Sequence, residues 1–443
     1  MKRSLYAELL EWKSSRSRKP LLLQGARQVG KTFLLTEFGK QEYKYFVYLN
    51  FEQNPDLSTI FADQLEPRQI VENIGIYYGR KISTEDTLIF FDEIQIVPKA
   101  LTSLKYFYEQ TPEIHIVAAG SLLGVSVGKQ ISFPVGKVNF MMMYPMTFHE
   151  YLLAKGEAVL AQVLQEQKQV RALTELLHHK LTKLFKIYLY VGGMPEVVQN
   201  YMDQGDMASV RSIQNEILEA YIQDFSKYTD KTQAIRTTEL WQSIPYQLAK
   251  ENKKFKYTDV RKGGRASTFE QTIQWLKSAG LVNVVYNISR PQLPLAGYAD
   301  FSKFKIYLLD NGLLGAMLNL SSDIILKPTE LYTEYNGAFV ENIIAAEFAA
   351  SGHKELYYWT SKSDAEVDYI IQTDSNIYPI EVKSGKNRNQ KSLRSYAGKY
   401  EPSTLCRLSP RNFIKDHEFI NIPLYAAFIL KQILVQRETD LAQ

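Results

Sequence analysis

The chain has 443 residues, of which 45% are hydrophobic, and this length predicts about two to four domains. Its formal net charge of +4 is too small to indicate a binding partner. Its single cysteine, Cys406, excludes an internal disulfide framework and a cysteine-rich zinc site. The charged N-terminus is unlike a secretory signal and no apolar run approaches the roughly 18 to 20 residues of a membrane span, so we expect a cytoplasmic protein without a membrane partner.

The first predicted elements are a strand, a glycine-rich loop and a helix. The loop and the first helical residues read Gly25-Ala26-Arg27-Gln28-Val29-Gly30-Lys31-Thr32-Phe33. This order is the P-loop pattern, in which backbone amides and a helix dipole bind a phosphate chain. We expect this segment to bind ATP, with Lys31 reaching the β- and γ-phosphates and Thr32 ligating Mg²⁺. The alternative is a glycine turn before an ordinary helix.

A second motif follows the apolar run Leu88 to Phe91, which suits a strand buried on both faces. The run ends in Asp92 and Glu93. We expect Asp92 to support Mg²⁺ through water, and Glu93 to polarise the attacking water as a catalytic residue. A glutamate there favours hydrolysis over binding alone, because transfer to water needs an orienting group. A solvated acidic turn is the alternative.

Strands and helices alternate up to about residue 150, which predicts an α/β fold with a parallel sheet. The predicted strands are Leu21–Leu23, Tyr45–Phe51, Leu88–Phe91, His115–Ala119 and Val138–Met143. Gly120-Ser121 follows the fourth. Ser121 is therefore expected at the carboxyl edge of the sheet, beside the nucleotide, unless this pair is only a turn.

These motifs resemble a widespread prokaryotic family in which an AAA-type P-loop ATPase domain is fused to a C-terminal domain of unknown function, DUF4143. Further family hallmarks are Tyr144-Pro145-Met146-Thr147-Phe148-His149-Glu150-Tyr151, Gly192-Gly193-Met194-Pro195-Glu196 and Lys305-Ile306-Tyr307-Leu308-Leu309-Asp310-Asn311-Gly312-Leu313. The resemblance implies an AAA+ type fold, Ser121 as the γ-phosphate sensor and a homo-oligomer. Relatives commonly carry Gly-Arg near Gly136-Lys137. Lysine lacks the bidentate fork of arginine, so no arginine finger is assigned.

Residues 157 to about 235 are charged and periodic, which predicts a helical lid. Within it, Gly192-Gly193 either shapes a contact facing the nucleotide or only breaks a helix. Three predicted helices and a β-ribbon between 236 and about 290 then resemble a winged helix-turn-helix. Basic residues near its turn suit a DNA backbone: Lys253, Lys254, Lys256, Arg261, Lys262 and Arg265. A purely structural or protein-docking module is the alternative.

A second candidate site is predicted on two strands joined by the turn 373–376. Alternation puts Glu381 and Lys383 on one face, and Asp368 can join them from the paired strand. This pattern resembles the restriction-endonuclease-like superfamily, although the Gln-x-x-x-Tyr element of some branches is not matched. The resemblance implies Asp368 and Glu381 as metal ligands, Glu341 as an auxiliary acid and Lys383 as the water-orienting catalytic residue. The alternatives are an exposed charged hairpin and a degenerate nuclease fold kept for binding.

A basic strip follows Ser384 and suits a nucleic-acid backbone, or is a solvated helix face. Its members are Lys386, Arg388, Lys391, Arg394 and Lys399. We therefore predict four domains: a P-loop ATPase core at 1–155, a helical lid at 156–235, a winged-helix-like domain at 236–320 and a nuclease-like α/β domain at 321–443.

The function that these patterns favour is an ATPase that controls a nucleic-acid-associated, nuclease-like C-terminal domain. One alternative is a nucleotide-dependent regulatory switch that binds protein partners and has an inactive C-terminal fold. The other is a scaffold that binds ATP for stability alone.

Overall fold

The computed structural model describes residues 1–62, 65–83, 86–120, 136–250, 253–323, 330–361, 365–385 and 390–442. The chain divides into two compact units. The N-terminal unit comprises Lys2–Tyr144 with Ser278–Gly280, and the C-terminal unit comprises Met1, Pro145–Lys277 and Leu281–Gln443. The four predicted domains are finer than this division and stay a proposal. Among the described helices, none has the length and apolarity that a membrane crossing requires.

A parallel sheet forms the centre of the N-terminal unit, with five strands in the described part. The strands are β1 (Leu21–Gln24), β2 (Tyr45–Asn50), β3 (Thr87–Asp92), β4 (His115–Ala119) and β5 (Asn139–Met142). Their order is β2-β3-β4-β1-β5, and each neighbouring pair is parallel. All five predicted strands are therefore confirmed. β4 lies between β1 and β3 and is parallel to both, so the loops after β1 and β3 emerge at the same edge of the sheet.

The helices of this unit cover a sheet in which strand β3 is buried along its whole length. They are α1 (Leu5–Ser14), α2 (Lys31–Glu42), α3 (Pro67–Tyr77) and α4 (Pro98–Gln110), with short 3₁₀ helices at Pro55–Phe61 and Ile94–Ile96. All residues of β3 are buried, as expected for a parallel strand covered on both faces. This burial fixes the position at which Asp92 leaves the sheet.

The C-terminal unit begins with helices. They are α5 (Phe148–Ala154), α6 (Ala158–Gln165), α7 (Glu175–Val191), α8 (Pro195–Gln204), α9 (Met207–Tyr228), α10 (Lys231–Leu248), α11 (Tyr257–Val260) and α12 (Ala266–Ser278). The predicted helical character of the region from 157 to 235 is thus confirmed. Later helices are α13 (Asn311–Met317), α14 (Glu330–Ala350), α15 (Lys391–Tyr400) and α16 (Leu430–Ala442), with 3₁₀ turns at Leu295–Tyr298 and Leu424–Ile429.

A mixed sheet, eight-stranded in the described part, completes this unit. Its strands are β6 (Val282–Ile288), β7 (Ala299–Leu308), β8 (Leu356–Thr360), β9 (Glu366–Gln372), β10 (Ile377–Val382), β11 (Leu405–Ser409), β12 (Ile414–Asp416) and β13 (Phe419–Pro423). The order is β12-β13-β11-β10-β9-β8-β6-β7. The predicted hairpin of β9 and β10 is confirmed, with a hydrogen bond from the Thr373 amide to the Asn376 carbonyl across its turn.

The β-ribbon predicted after the three helices is formed by β6 and β7 and does not stand apart from the mixed sheet. β6 pairs with β7 on one side and with β8 on the other, so the ribbon is part of the larger sheet. The physical reason is burial, since all but one of the β6 residues are buried and a buried strand requires hydrogen-bond partners at both edges. The three predicted helices before the ribbon correspond to α10, α11 and α12.

The Gly192-Gly193 motif meets the later Asp310 motif inside the C-terminal unit. Asp310 Oδ2 accepts a hydrogen bond from the Gly193 amide at 2.6 Å, and Oδ1 accepts one from the Leu313 amide at 2.9 Å. Gly192 has a φ of +76°, and a Cβ on it would lie 2.4 Å from Asp310 Oδ1. Both motifs therefore form one buried contact, the Gly192–Asp310 contact. Glycine is required at position 192 because a side chain there would collide with Asp310.

Replacing Gly193 with alanine is expected to destabilise this unit by roughly 2 kcal/mol, because the new Cβ would lie 2.1 Å from the Met146 carbonyl oxygen. Urea unfolding followed by circular dichroism measures the change in the free energy of unfolding. Gly297→Ala is the matched control, since a Cβ on Gly297 has no neighbour within 4 Å. Equal effects of the two substitutions would contradict the close packing proposed around Gly193.

Candidate functional site

The loop between β1 and α2 has the backbone of a phosphate-binding loop. Gly25 has a φ of +150°, and a Cβ on it would lie 2.3 Å from the Met143 carbonyl oxygen, so only glycine fits. Gly30, in the left-handed conformation, is the N-cap of α2. Gln28 also has a positive φ, of 63°. These conformations bring the positive end of α2 to the loop, which is the arrangement that binds phosphate groups.

Lys31 lies at the centre of this loop and is only 9% exposed. Its Nζ donates hydrogen bonds to the carbonyl oxygens of Gly25, at 3.0 Å, and Ala26, at 2.8 Å. Burial lowers the pKa of Lys31 to about 8, and the nearby carboxylates of Glu93 and Asp92 oppose that shift. The loop carbonyls thus hold the ammonium group of Lys31 at a position where the phosphate chain of a nucleotide would compete for its hydrogen bonds.

This depressed pKa predicts a pH dependence of nucleotide affinity. The charged lysine attracts phosphate, and its charge is lost as the pH rises through about 8, so the affinity for ATP should fall up to about tenfold per pH unit above that value. The free energy of unfolding without nucleotide should change in the opposite sense. The pKa of Lys31 in the folded chain lies below the ordinary lysine value of 10.5, so stability should increase as the pH rises from about 8 toward that value. Titration with a fluorescent ATP analogue between pH 7 and 9.5 measures the affinity. A constant dissociation constant across this range would contradict the prediction.

Thr32 and Asp92 form a direct contact beside Lys31. The Thr32 hydroxyl donates to Asp92 Oδ2 at 3.0 Å, and the Tyr48 hydroxyl donates to the same oxygen at 2.8 Å. Burial raises the pKa of Asp92, and these two hydrogen bonds act against the shift. One hydroxyl and one carboxylate fit Mg²⁺, which usually binds proteins through one or two oxygens and takes its other ligands from water and phosphate.

Glu93 follows β3 in a left-handed conformation, with a φ of +53°, which is uncommon for a residue with a side chain. Its Oε2 accepts a hydrogen bond from Gln95 Nε2. A Cβ on Gly120, at the end of β4, would lie 2.5 Å from Gln95 Oε1. Glu93, Gln95 and Gly120 therefore lie together at the carboxyl edge of the sheet. The predicted sensor, Ser121, lies outside the described residues.

Sequence reasoning missed three polar residues of this site: Tyr48, Asn50 and Gln95. Asn50 is opposite Asp92 in the register of β2 and β3, and its Nδ2 donates to the Tyr48 hydroxyl at 2.9 Å. The available signal was the polar residue Asn50 at the end of an apolar strand. Gln95 had no comparable local signal.

Phe33, which the sequence places in the nucleotide site, is 56% exposed, so its ring is accessible to a ligand.

The predicted metal ligands of the C-terminal unit are engaged with cationic groups of the chain. Glu341 Oε1 pairs with Lys253 Nζ, and its Oε2 accepts a hydrogen bond from the Tyr307 hydroxyl at 2.7 Å. The fully buried Lys305 has its Nζ 3.5 Å from Glu341 Oε2 and 2.5 Å from Glu366 Oε1. This arrangement is a buried ionic network of helix α14 with strands β7 and β9.

The other predicted residues have different partners. Asp368 Oδ2 accepts a hydrogen bond from the Val382 amide at 2.8 Å. Glu381 Oε2 is 3.1 Å from Arg407 Nη2, and Glu381 Oε1 is 3.1 Å from Lys383 Nζ. Arg407 is buried opposite Glu381 in the register of β10 and β11, and sequence reasoning missed it because the two residues are far apart in the chain.

The predicted metal site of the C-terminal unit stays a prediction beside these contacts. In the part of the chain that the structure describes, no group of three His, Cys, Asp or Glu side chains could hold a metal ion. Glu341, Asp368 and Glu381 are therefore not gathered into one such group among the described residues. Lysine and arginine side chains pair with Glu341 and Glu381, whereas Asp368 accepts a hydrogen bond from a backbone amide.

The predicted nucleic-acid contacts are partly engaged in ion pairs. Lys253 pairs with Glu341, and Arg261 pairs with Glu239. In the strip after Ser384, Lys386 and Arg388 lie outside the described residues. Lys391, Arg394 and Lys399 are partly or largely accessible on α15, whose Leu393 and Tyr396 are buried. Lys137, at the position where relatives carry arginine, lies 3.1 Å from Glu109.

Comparisons with known proteins place family models on three parts of the chain. A model described as AAA domain matches residues 17–152, the domain of unknown function DUF8612 matches 182–324, and the domain of unknown function DUF4143 matches 336–425. No curated protein is significantly similar in sequence.

Similar solved structures have low sequence identity. A Walker-type ATPase of Pyrococcus abyssi is 12% identical with a TM-score of 0.44, over 72% of this chain and 95% of that one. Aeropyrum pernix Orc1 in complex with DNA is 12% identical with a TM-score of 0.30, over 72% and 93%. AMPPCP-bound DnaA of Aquifex aeolicus is 14% identical with a TM-score of 0.25, over 62% and 85%. The chain thus carries separate matches to an AAA domain and to DUF4143, and the first match contains the P-loop geometry described above.

Proposed function

We propose that this protein binds ATP with Mg²⁺ and hydrolyses it in the N-terminal unit. The observation that supports this most is the convergence of a glycine-shaped loop, a buried lysine and two consecutive carboxylates at one edge of a parallel sheet. A phosphate-binding loop alone would support only binding. The hydroxyl–carboxylate contact of Thr32 with Asp92, and Glu93 beside it, add the groups that hydrolysis requires.

Each residue has a distinct role in this proposal. Lys31 exchanges its hydrogen bonds to the loop carbonyls for bonds to the β- and γ-phosphates. Thr32 and Asp92 would hold Mg²⁺, which offsets the charge of the phosphate chain. Glu93 accepts the proton of the attacking water, and Gln95 orients its carboxylate through Oε2.

We further propose that Ser121 senses the γ-phosphate, because it directly follows Gly120 at the end of β4. The chain is proposed to act in the cytoplasm as a homo-oligomer whose nucleotide state controls nucleic-acid binding by the C-terminal unit. The accessible cations of α15 and the exposed Lys262 and Arg265 before α12 support a phosphate backbone as ligand.

The experiment that tests this function is phosphate release from ATP, with and without single- and double-stranded DNA. Turnover that DNA changes supports the proposal. Turnover that is indifferent to DNA, without salt-dependent DNA binding, favours a switch that acts on protein partners. Tight ATP binding without any hydrolysis would leave only the scaffold alternative.

Removing Lys262 and Arg265 together is expected to weaken DNA binding several-fold and to lower the salt dependence of the affinity by about one counterion for each charge. Fluorescence anisotropy of labelled DNA across a salt series measures both quantities. Arg171→Ala, which removes an exposed charge from another part of the chain, is the control. The same loss in this control would mean that α12 and its turn do not bind DNA.

A further inference from the structure

We propose that the ammonium group of Lys305 takes the place of a divalent cation in the C-terminal unit, so that this unit binds its partners without metal-dependent cleavage. The carboxylate cluster concerned consists of Glu341, Glu366 and Asp368. This inference concerns a different unit from the ATP site and is independent of ATP hydrolysis.

The position of Lys305 is the main evidence. This side chain is 0% exposed, and its Nζ contacts carboxylate oxygens from two elements, Glu341 on α14 and Glu366 on β9. The Tyr358 ring lies on another side, with its centroid 5.1 Å from Nζ. A buried ammonium group in contact with oxygen ligands and an aromatic face has the surroundings of a bound cation.

Two ammonium groups of the chain offset much of the negative charge of the carboxylate cluster without a metal. Lys253 supplies a second cation, which pairs with Glu341. Burial alone would raise the pKa of Glu341, but Lys253 and Lys305 outweigh it and lower the pKa. Burial and the Glu341 charge raise the pKa of Asp368. Two ammonium groups, those of Lys253 and Lys305, therefore already contact this cluster, and a divalent ion would add two further positive charges.

Solvent can reach the edge of this cluster. The Glu366 side chain is 33% exposed and that of Lys253 is 18% exposed, whereas Lys305 is fully enclosed. An ion can therefore reach the Glu366 side chain from solvent, and in this proposal the ammonium group of Lys305 excludes it from the rest of the cluster. Removal of this group should leave the carboxylate oxygens of Glu341 and Glu366, which now contact Lys305 Nζ, as ligands of the kind that Mg²⁺ and Mn²⁺ prefer.

The test is a Mn²⁺ titration of the full chain without nucleotide, followed by electron paramagnetic resonance. Asp92→Asn serves as the parent, because it removes the proposed metal ligand of the ATP site. We expect identical binding curves for the parent and the parent carrying Asp368→Asn. A Mn²⁺ ion that the parent binds and the Asp368→Asn variant loses would overturn the proposal.

Lys305→Met in the same parent is expected to gain one Mn²⁺ site, with affinity at least about tenfold above that of the parent. Lys303→Met is the matched control, because Lys303 is on the same strand with a side chain that is 60% exposed. A folded Lys305→Met variant that gains no site would contradict the role of Lys305. Circular dichroism reports folding, and if this variant does not fold, the comparison of the parent with Asp368→Asn decides.

A DNA cleavage gel with Mg²⁺ or Mn²⁺ gives a second readout. No cleavage is expected from the wild-type chain at any nucleotide state. Cleavage that disappears in Asp368→Asn or Glu381→Gln would overturn the inference. Phosphate release from ATP, measured on the same samples, shows separately whether the proposed ATPase function holds.

Discussion

The Lys31→Ala variant is expected to lose most of its nucleotide binding, with an affinity for ATP roughly 30- to 4,000-fold below that of the wild type. The estimate follows from the 2–5 kcal/mol that truncating one partner of a buried, hydrogen-bonded charge pair typically costs, at about 1.4 kcal/mol for each tenfold change in affinity. Lys31 is suited to this role because it is buried within the loop and its ammonium group can turn from the carbonyls of Gly25 and Ala26 to a phosphate.

Isothermal titration with ATP and Mg²⁺ measures this loss. Lys40→Ala is the control, since Lys40 is an exposed lysine in the last turn of the same helix, α2. The control should bind as the wild type does. Full retention of ATP affinity by a folded Lys31→Ala variant would show that the loop does not bind the nucleotide as proposed.

The Glu93→Gln variant is expected to bind ATP with unchanged affinity and to hydrolyse it roughly 100- to 10,000-fold more slowly, the usual contribution of a positioned acid or base. The amide has nearly the same shape as the carboxylate and can still accept the hydrogen bond of Gln95. It cannot accept the proton of the attacking water, so the loss should fall on turnover and not on binding.

Steady-state phosphate release and ATP titration together separate these two effects. Glu113→Gln is the control, because Glu113 is an exposed glutamate before β4 and is distant in sequence from both motifs. Undiminished turnover in the Glu93 variant would remove this residue from the mechanism. A parallel loss of binding would instead indicate that Glu93 has a structural role.

The sequence was sufficient to predict the parallel sheet of the N-terminal unit and the glycine-dependent loop after its first strand. Continuous apolar runs such as Leu88–Phe91 can be satisfied only by burial on both faces, so their positions were predictable. The loop at Gly25 and Gly30 was equally predictable, because its backbone conformation requires glycine. By contrast, Tyr48 reaches the site through the pairing of β2 with β3, and Gln95 reaches it through a local turn. Neither position can be predicted from hydrophobic periodicity.

The C-terminal unit shows why charged patterns alone were insufficient. Glu381 and Lys383 do lie together, as alternation along a strand predicts. The decisive contacts, however, join residues distant in the chain: Lys305 with Glu341 and Arg407 with Glu381. A carboxylate that appears free in the sequence can be neutralised by a lysine from another strand, and only the fold reveals this pairing.

The same limit applies to the Gly192-Gly193 and Asp310 motifs. Their residue types suggested a contact of some kind, but only the structure shows that they meet each other through the Gly193 amide and Asp310. The buried Gly192–Asp310 contact also explains why the two motifs need these specific residues, and the explanation requires no ligand.

The most direct test of the proposed function is a single-turnover experiment in which excess protein is mixed with a limiting amount of radiolabelled ATP and Mg²⁺. This measures chemistry at the site without dependence on product release. We predict conversion of the bound ATP to ADP and phosphate by the wild-type chain, and persistence of intact bound ATP with Glu93→Gln. Bound ATP that stays intact with the wild type, or equal conversion by both proteins, would contradict the proposed hydrolytic site.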